Sequence, residues 1–195
     1  MTARVSIPEE KIIQAALDLI REGGWEKVSA RGIANRLGSS TMPIYSAIGS
    51  MDQLRMNASI AARRLLSDAQ RVGRTGNPVL DLAVGQVVFA KDEPRLFRFI
   101  VESQHAMREQ VIKASREERD KGGIGDLAAV RERLESFSAP INAEEFVMQS
   151  WIYTSGLAFL VSEGNLDLDE TQIEAYLSNA GAAFYFFHKN KDGAE

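Results

Sequence analysis

The apolar residues of this 195-residue chain recur at three- and four-residue spacing almost from end to end, and a period of 3.6 admits helices before anything else. Ile12, Ile13, Ala16, Leu17 and Ile20 make one such stripe, and Gly23-Gly24 stops it. Ser29 is placed to cap a second helix carrying Ile33, Ala34 and Leu37, which Gly38 breaks. Ser40 is placed to cap a short third helix through Tyr45, and Gly49 breaks the chain again. Capping-box spacing recurs at Ser6 and Glu9, Ser50 and Gln53, Asn142 and Glu145, and Asp169 and Gln172. These open a first helix, a long helix to about residue 72, one to about 163 and a last one to about 189. Further helices are predicted over 78–92, from Pro94, over 106–121 and over 126–137, with a linker at residues 74–78. Residues 87–89 alone look strand-like, and their flanks are helical. The expected fold class is all-α.

Composition narrows the function. There is no cysteine, which excludes disulfides, iron–sulfur clusters, thiolate zinc sites and cysteine nucleophiles. No apolar run approaches the ~20 residues of a membrane span, and the first residues meet charge too early for a secretory signal. A cytoplasmic protein with no membrane partner is expected. The net charge of −4 hides an asymmetry: residues 1–72 carry ten Lys/Arg against seven acids, while the remainder is net −7. Residues 29–50 hold Arg31 and Arg36 and no acid, which suits a polyanion partner.

Enzyme signatures are absent. Residues 123–128 spell G-x-G-x-x-A, but a charged segment, not a strand, precedes them, so dinucleotide binding is not expected. Glu102 and His105 have metal-ligand spacing, yet His188, the other histidine, has no acid three residues before it. The reading is no enzyme, no metal and no cofactor.

The informative constellation lies near the N-terminus. With Ala30 as first residue of the second helix, Ala34 stands at position 5, Gly38 at position 9 and Ile44 at position 15. A helix-turn-helix needs a small residue where the helices cross, a glycine where the turn demands positive φ, and an aliphatic residue packing back into the angle. This pattern, with Ile12-Ile-Gln-Ala-Ala-Leu-Asp-Leu-Ile20, Glu22-Gly-Gly-Trp25, Val28-Ser-Ala-Arg-Gly-Ile-Ala34, Leu37-Gly-Ser-Ser40, Ile44-Tyr45 and Ser50-Met-Asp-Gln-Leu54, resembles the N-terminal domain of the TetR family of repressors. The resemblance implies a three-helix DNA-binding head over residues 1–50, a connecting helix over 51–72, and a ligand-binding and dimerisation domain over 73–195. It implies a homodimeric, ligand-responsive repressor of a double-stranded DNA operator, released by a small-molecule effector. A helical protein-interaction module without DNA binding is the alternative.

The DNA-facing candidates are Ser29, Arg31, Arg36, Ser40, Thr41, Met42, Pro43, Tyr45, Ser46 and Ser50. The resemblance puts the Tyr45 hydroxyl on a phosphate; a core aromatic is the plain alternative. Ser29, Thr41 and Ser46 are either contacts or plain caps or surface residues, Arg31 and Arg36 either contacts or a solvated face, and Ser50 is an N-cap whose helix end can also meet a phosphate. Thr41-Met42-Pro43 offers no Arg, Asn or Gln for bidentate base readout, which points to thymine methyls, hydroxyl contacts and phosphates. Met51 and the pair Ala47-Ile48 depart from the lysine and aromatics common in the family.

The last two helices are apolar on wide faces and carry small residues (Gly156, Ala158, Gly181 and Ala183); an intramolecular core is the plain reading, and the resemblance implies a four-helix bundle across a C2 axis, a dimer through residues 143–189. Phe89, Phe97, Ile100, His105, Met107, Val111, Trp151 and Ser155 are the candidates for the effector pocket, with core packing as the plain reading of each.

Overall fold

The computed structural model describes residues 7–106 and 143–192. Eight α-helices and no strand occur among the described residues: α1 (Glu9–Gly23), α2 (Ala30–Arg36), α3 (Thr41–Ile48), α4 (Met51–Gln70), α5 (Pro78–Asp92), α6 (Pro94–Ala106), α7 (Ala143–Ser162) and α8 (Glu170–Asp192), with a 3-10 turn at Trp25–Lys27. The all-α expectation holds. None of the described helices is long and apolar enough to cross a membrane. Residues 107–142, with the helices predicted there, lie outside the described residues.

The chain forms two compact units, divided within α4 after Leu65 and again between Asp92 and Glu93. The first unit contains α1, α2, α3, the front of α4, and α6. The apolar stripe of α1 becomes its core: Ile12, Ala16 and Ile20 are fully buried, with Ala15, Leu17 and Leu19 beside them. Each large aliphatic buried this way contributes roughly 1.5–3 kcal/mol. α1 packs on α2 and α3 and also on α6. The α6 contact is fastened at its start by charge. The Arg21 Nε donates to both Glu93 carboxylate oxygens at 3.0 Å, and Arg95 Nη1 donates to the Arg21 carbonyl at 2.6 Å. The Glu93 hydrogen bond raises the Arg21 pKa, against a smaller desolvation penalty. α6 thus falls in the first compact unit, with α1.

The second unit contains the end of α4, α5, α7 and α8, and α5 packs on both later helices. Asp81, 6% exposed, pins the loop that leads into α5. Its Oδ1 accepts from the Arg74 amide at 3.0 Å, the Thr75 amide at 2.7 Å and the Thr75 hydroxyl at 2.8 Å. Gly85 lets α5 approach the end of α4 closely: a Cβ there would stand 2.4 Å from the Ala69 carbonyl oxygen. His188 of α8 is buried between Gln149 at 3.2 Å and Glu145 at 3.6 Å, both on α7.

The helix boundaries follow local chemistry in most places. Asp169 and Gln172 form the full reciprocal capping box, each amide donating to the other's side chain. Ser50 Oγ accepts from the Gln53 amide at 3.1 Å, but the Gln53 side chain turns to Asn57. α1 differs: Pro8 occupies its N-cap without a side-chain bond, and Ser6 lies outside the described residues.

Candidate nucleic-acid interface

The segment from Ser29 to Ser50 builds one exposed surface on a small rigid bracket. Ser29 Oγ accepts from the Gly32 amide at 3.0 Å and caps α2. α2 then ends in a Schellman motif: the Gly38 amide donates to the Asn35 carbonyl at 3.3 Å and the Ser39 amide to the Ala34 carbonyl at 2.9 Å. That closure requires Gly38 at φ 62°, where a side chain is disfavoured. Ala34 and Ile44 are 2% and 0% exposed, the small and aliphatic residues that let α2 and α3 pack. Ile48 anchors the far end of α3, and Gly49 at φ 71° turns the chain into α4.

Burying Ile44 and Ile48 forces the opposite face of α3 outward. Met42 is 69% and Tyr45 49% exposed, which removes the core-aromatic reading of Tyr45. Thr41 and Ser46 are exposed beside them, and Pro43 is half-buried. Ser40 sits at the N-cap position and is exposed, but its side chain makes no cap bond. α3 has no acid or base in its end turns, so its outward face is one thioether methyl, two aliphatic hydroxyls and a phenol.

The two arginines divide. Arg31 is exposed and forms no ion pair with other described residues. Arg36 pairs with Glu22 and stands 3.7 Å from Asp18. The sequence left both arginines as either duplex contacts or a solvated face and had no means to see Glu22, fourteen residues upstream, close on Arg36. Ser29 and Ser50 serve as caps while remaining exposed.

The sequence matches no protein-family model and no curated protein. The structure, in contrast, has close parallels. A TetR-like transcriptional regulator from Rhodococcus sp. RHA1 superposes with a TM-score of 0.61 at 18% identity, over 92% of this chain and 96% of that one. A putative TetR-family transcriptional regulator from Vibrio parahaemolyticus gives 0.55 at 17% identity, over 90% and 97%. A protein of unknown function from Rhodococcus sp. RHA1 gives 0.67 at 17% identity, over 93% and 94%.

The fold is TetR-like.

Within this TetR-like fold the expected pocket residues fall in different places. Phe97 and Ile100 are core residues of the first unit. Phe89 is buried in the second unit, where Trp151 is 59% exposed and Ser155 takes a hydrogen bond from Gln86 Nε2 at 3.5 Å. The His105 side chain, Met107 and Val111 lie outside the described residues. A cleft of about 450 Å³ between α5, α7 and α8 of the TetR-like body is lined by none of the five candidates whose side chains are described. The signal in the sequence was Ser150 and Thr154, two hydroxyls one turn apart interrupting an apolar helix.

The outer face of α7 is unusual for a helix in contact with water. Met148, Trp151, Ile152 and, two turns on, Phe159 form a stripe, each more than half exposed, and Tyr176, Phe186 and Phe187 are similarly exposed on α8.

Proposed function

We propose that this protein is a ligand-responsive transcriptional regulator acting as a homodimer on double-stranded DNA in the cytoplasm. The carrying observation is the outward face of α3, Thr41, Met42, Tyr45 and Ser46, set on a helix-turn-helix bracket. α3 is the element that enters the major groove. Met42 and the Thr41 methyl contact thymine methyls, and Tyr45, Ser46, Ser40 and Arg31 contact phosphates. Ser29 and Ser50 bring helix N-termini to the backbone, where amides and dipole favour an anion. With no bidentate base reader on α3, phosphate contacts carry more than the usual half to two-thirds of the hydrogen bonds.

The exposed stripes of α7 and α8 support dimerisation through residues 143–189. A helix apolar on all sides belongs in an interior, and a C2 four-helix bundle supplies one. Two copies of α3 then address half-sites roughly 34–36 Å apart, or a multiple, on a pseudo-palindromic operator. Repression is the mode, relieved by a small apolar effector with a coupling of roughly 1–3 kcal/mol. α4, shared by both compact units, is the connecting lever.

The experiment is selection from a random duplex pool at low ionic strength, followed by a reporter assay with the selected site. Enrichment of a two-fold symmetric sequence and lowered reporter output are expected. A purified dimer that enriches no duplex overturns the reading and leaves a helical protein-interaction module.

A further inference from the structure

The cleft between α5, α7 and α8 has a volume of about 450 Å³, inside the roughly 300–1,000 Å³ range of small-molecule sites. Among the described residues, no Lys, Arg, His, Asp or Glu lines it. Val79, Leu80 and Ala83 of α5 form one wall, and Phe146, Tyr153 and Phe184 supply rings, the last two packed edge to face at 6.2 Å. Asn77 is already committed, its Oδ1 accepting from the Val79 amide at 3.1 Å. Ser150 is different. Its Oγ is buried without a hydrogen-bond partner among the described residues, and Ser150 lines the cleft. An unpaired buried hydroxyl is a cost that a ligand atom can relieve. A charged ligand would lose its hydration here with no counter-charge among the described residues to replace it.

We infer that this cleft binds a neutral, ring-bearing molecule with one hydrogen-bonding oxygen or nitrogen, which meets Ser150 Oγ. The proposal deepens the ligand-responsive reading above, and its regulatory consequence rests on that reading; the binding itself does not. The cleft accepts flat rings against Phe146 and Phe184 and rejects carboxylates, phosphates and sulfonates.

The test titrates the full chain with N-phenyl-1-naphthylamine, a neutral three-ring arylamine that fluoresces when desolvated, and with its sulfonated analogue 8-anilinonaphthalene-1-sulfonate. One saturable site per chain is expected for the neutral probe, with the sulfonate at least tenfold weaker. Gly181→Leu fills the cleft from α8, where an added Cβ meets nothing within 4 Å, and Ala83→Phe fills it from α5. Each should weaken the neutral probe tenfold or more, and Ser150→Ala, which barely changes volume, about threefold. Equal binding of both probes, or wild-type affinity in both filled variants, overturns the proposal. So does probe binding that vanishes as rising protein concentration forms the dimer, because the cleft then belongs to a second copy. No DNA enters the measurement, so failure here leaves the regulator reading to its own test.

Discussion

Trp25 and Phe99 stack with their ring centroids 5.4 Å apart and their planes 13° from parallel. The two belong to segments far apart in sequence, the 3-10 turn after α1 and the middle of α6. Arg55 of α4 lies over the Trp25 ring, its guanidinium carbon 5.3 Å from the ring centroid, within cation–π range. α6 is therefore held to the head by a ring stack as well as by the Arg21–Glu93 ion pair. Phe99→Ala removes a side chain that is 1% exposed and should cost about 3–5 kcal/mol. Urea unfolding followed by tryptophan emission checks this, since Trp25 reports on the lost neighbour directly.

Gly85 is a second sensitive position. Gly85→Ala places a methyl group 2.4 Å from the Ala69 carbonyl oxygen and 2.5 Å from the Gln70 Cα, so α5 must shift away from the end of α4. A loss of about 1–3 kcal/mol is expected, read as a lower thermal midpoint. Gly38→Ala meets no neighbour and should cost only the left-handed backbone penalty, about 1–2 kcal/mol.

Asp81 sets an acid limit on the second unit. Burial alone would raise its pKa; the hydrogen bonds from Thr75 and the Arg74 amide, with the Arg74 charge, outweigh it and leave the pKa lowered. A carboxyl whose pKa is lower folded than unfolded contributes stability above the unfolded value, about 3.9. That contribution is lost as pH falls through the folded value. The urea midpoint of the wild type should fall below pH 4, and Asp81→Ala should show a smaller fall over the same interval, from a lower starting point.

The two arginines of the helix-turn-helix should separate in solution. Arg31→Ala is expected to weaken DNA binding to all sequences and to reduce the salt slope by about one. Arg36→Ala should leave that slope unchanged and cost up to about 1 kcal/mol of head stability through its partly exposed ion pairs. Anisotropy titrations over a salt series distinguish the two.

Tyr45→Phe and Met42→Ala test different halves of the α3 face. Removing the hydroxyl should weaken every duplex alike. Removing the thioether should flatten the preference for thymine at one position, where a mismatch otherwise costs about 1–3 kcal/mol. Unchanged affinity in both variants at a selected site would take α3 out of the interface.

What the sequence made legible was local. The stripe Ile12–Ile20, the breaks at Gly24, Gly38 and Gly49, and the Asp169–Gln172 box each depend on residues within one or two turns. The helix-turn-helix bracket was readable because its three constraints lie within fifteen residues. The missing parts depend on distant partners. Glu93 reaches Arg21 across 72 residues, so nothing in α6 announced that it docks on α1. Arg36 looked available because Glu22 belongs to another helix. The cleft beside Ser150 escaped notice because its walls come from three helices, and apolar periodicity cannot tell a lining residue from a filling one.

In the dimer proposed above, the stripe from Met148 to Phe159 would tie what this protein does to how much of it there is. A lone copy leaves Trp151 and Ile152 in water, and a greasy strip that recruited a twin would also invite clumping. Occupancy of a two-armed DNA site by a pairing protein climbs more steeply than in proportion to dose. Small changes in synthesis or turnover would then be felt as near-switches in output, before any effector arrives.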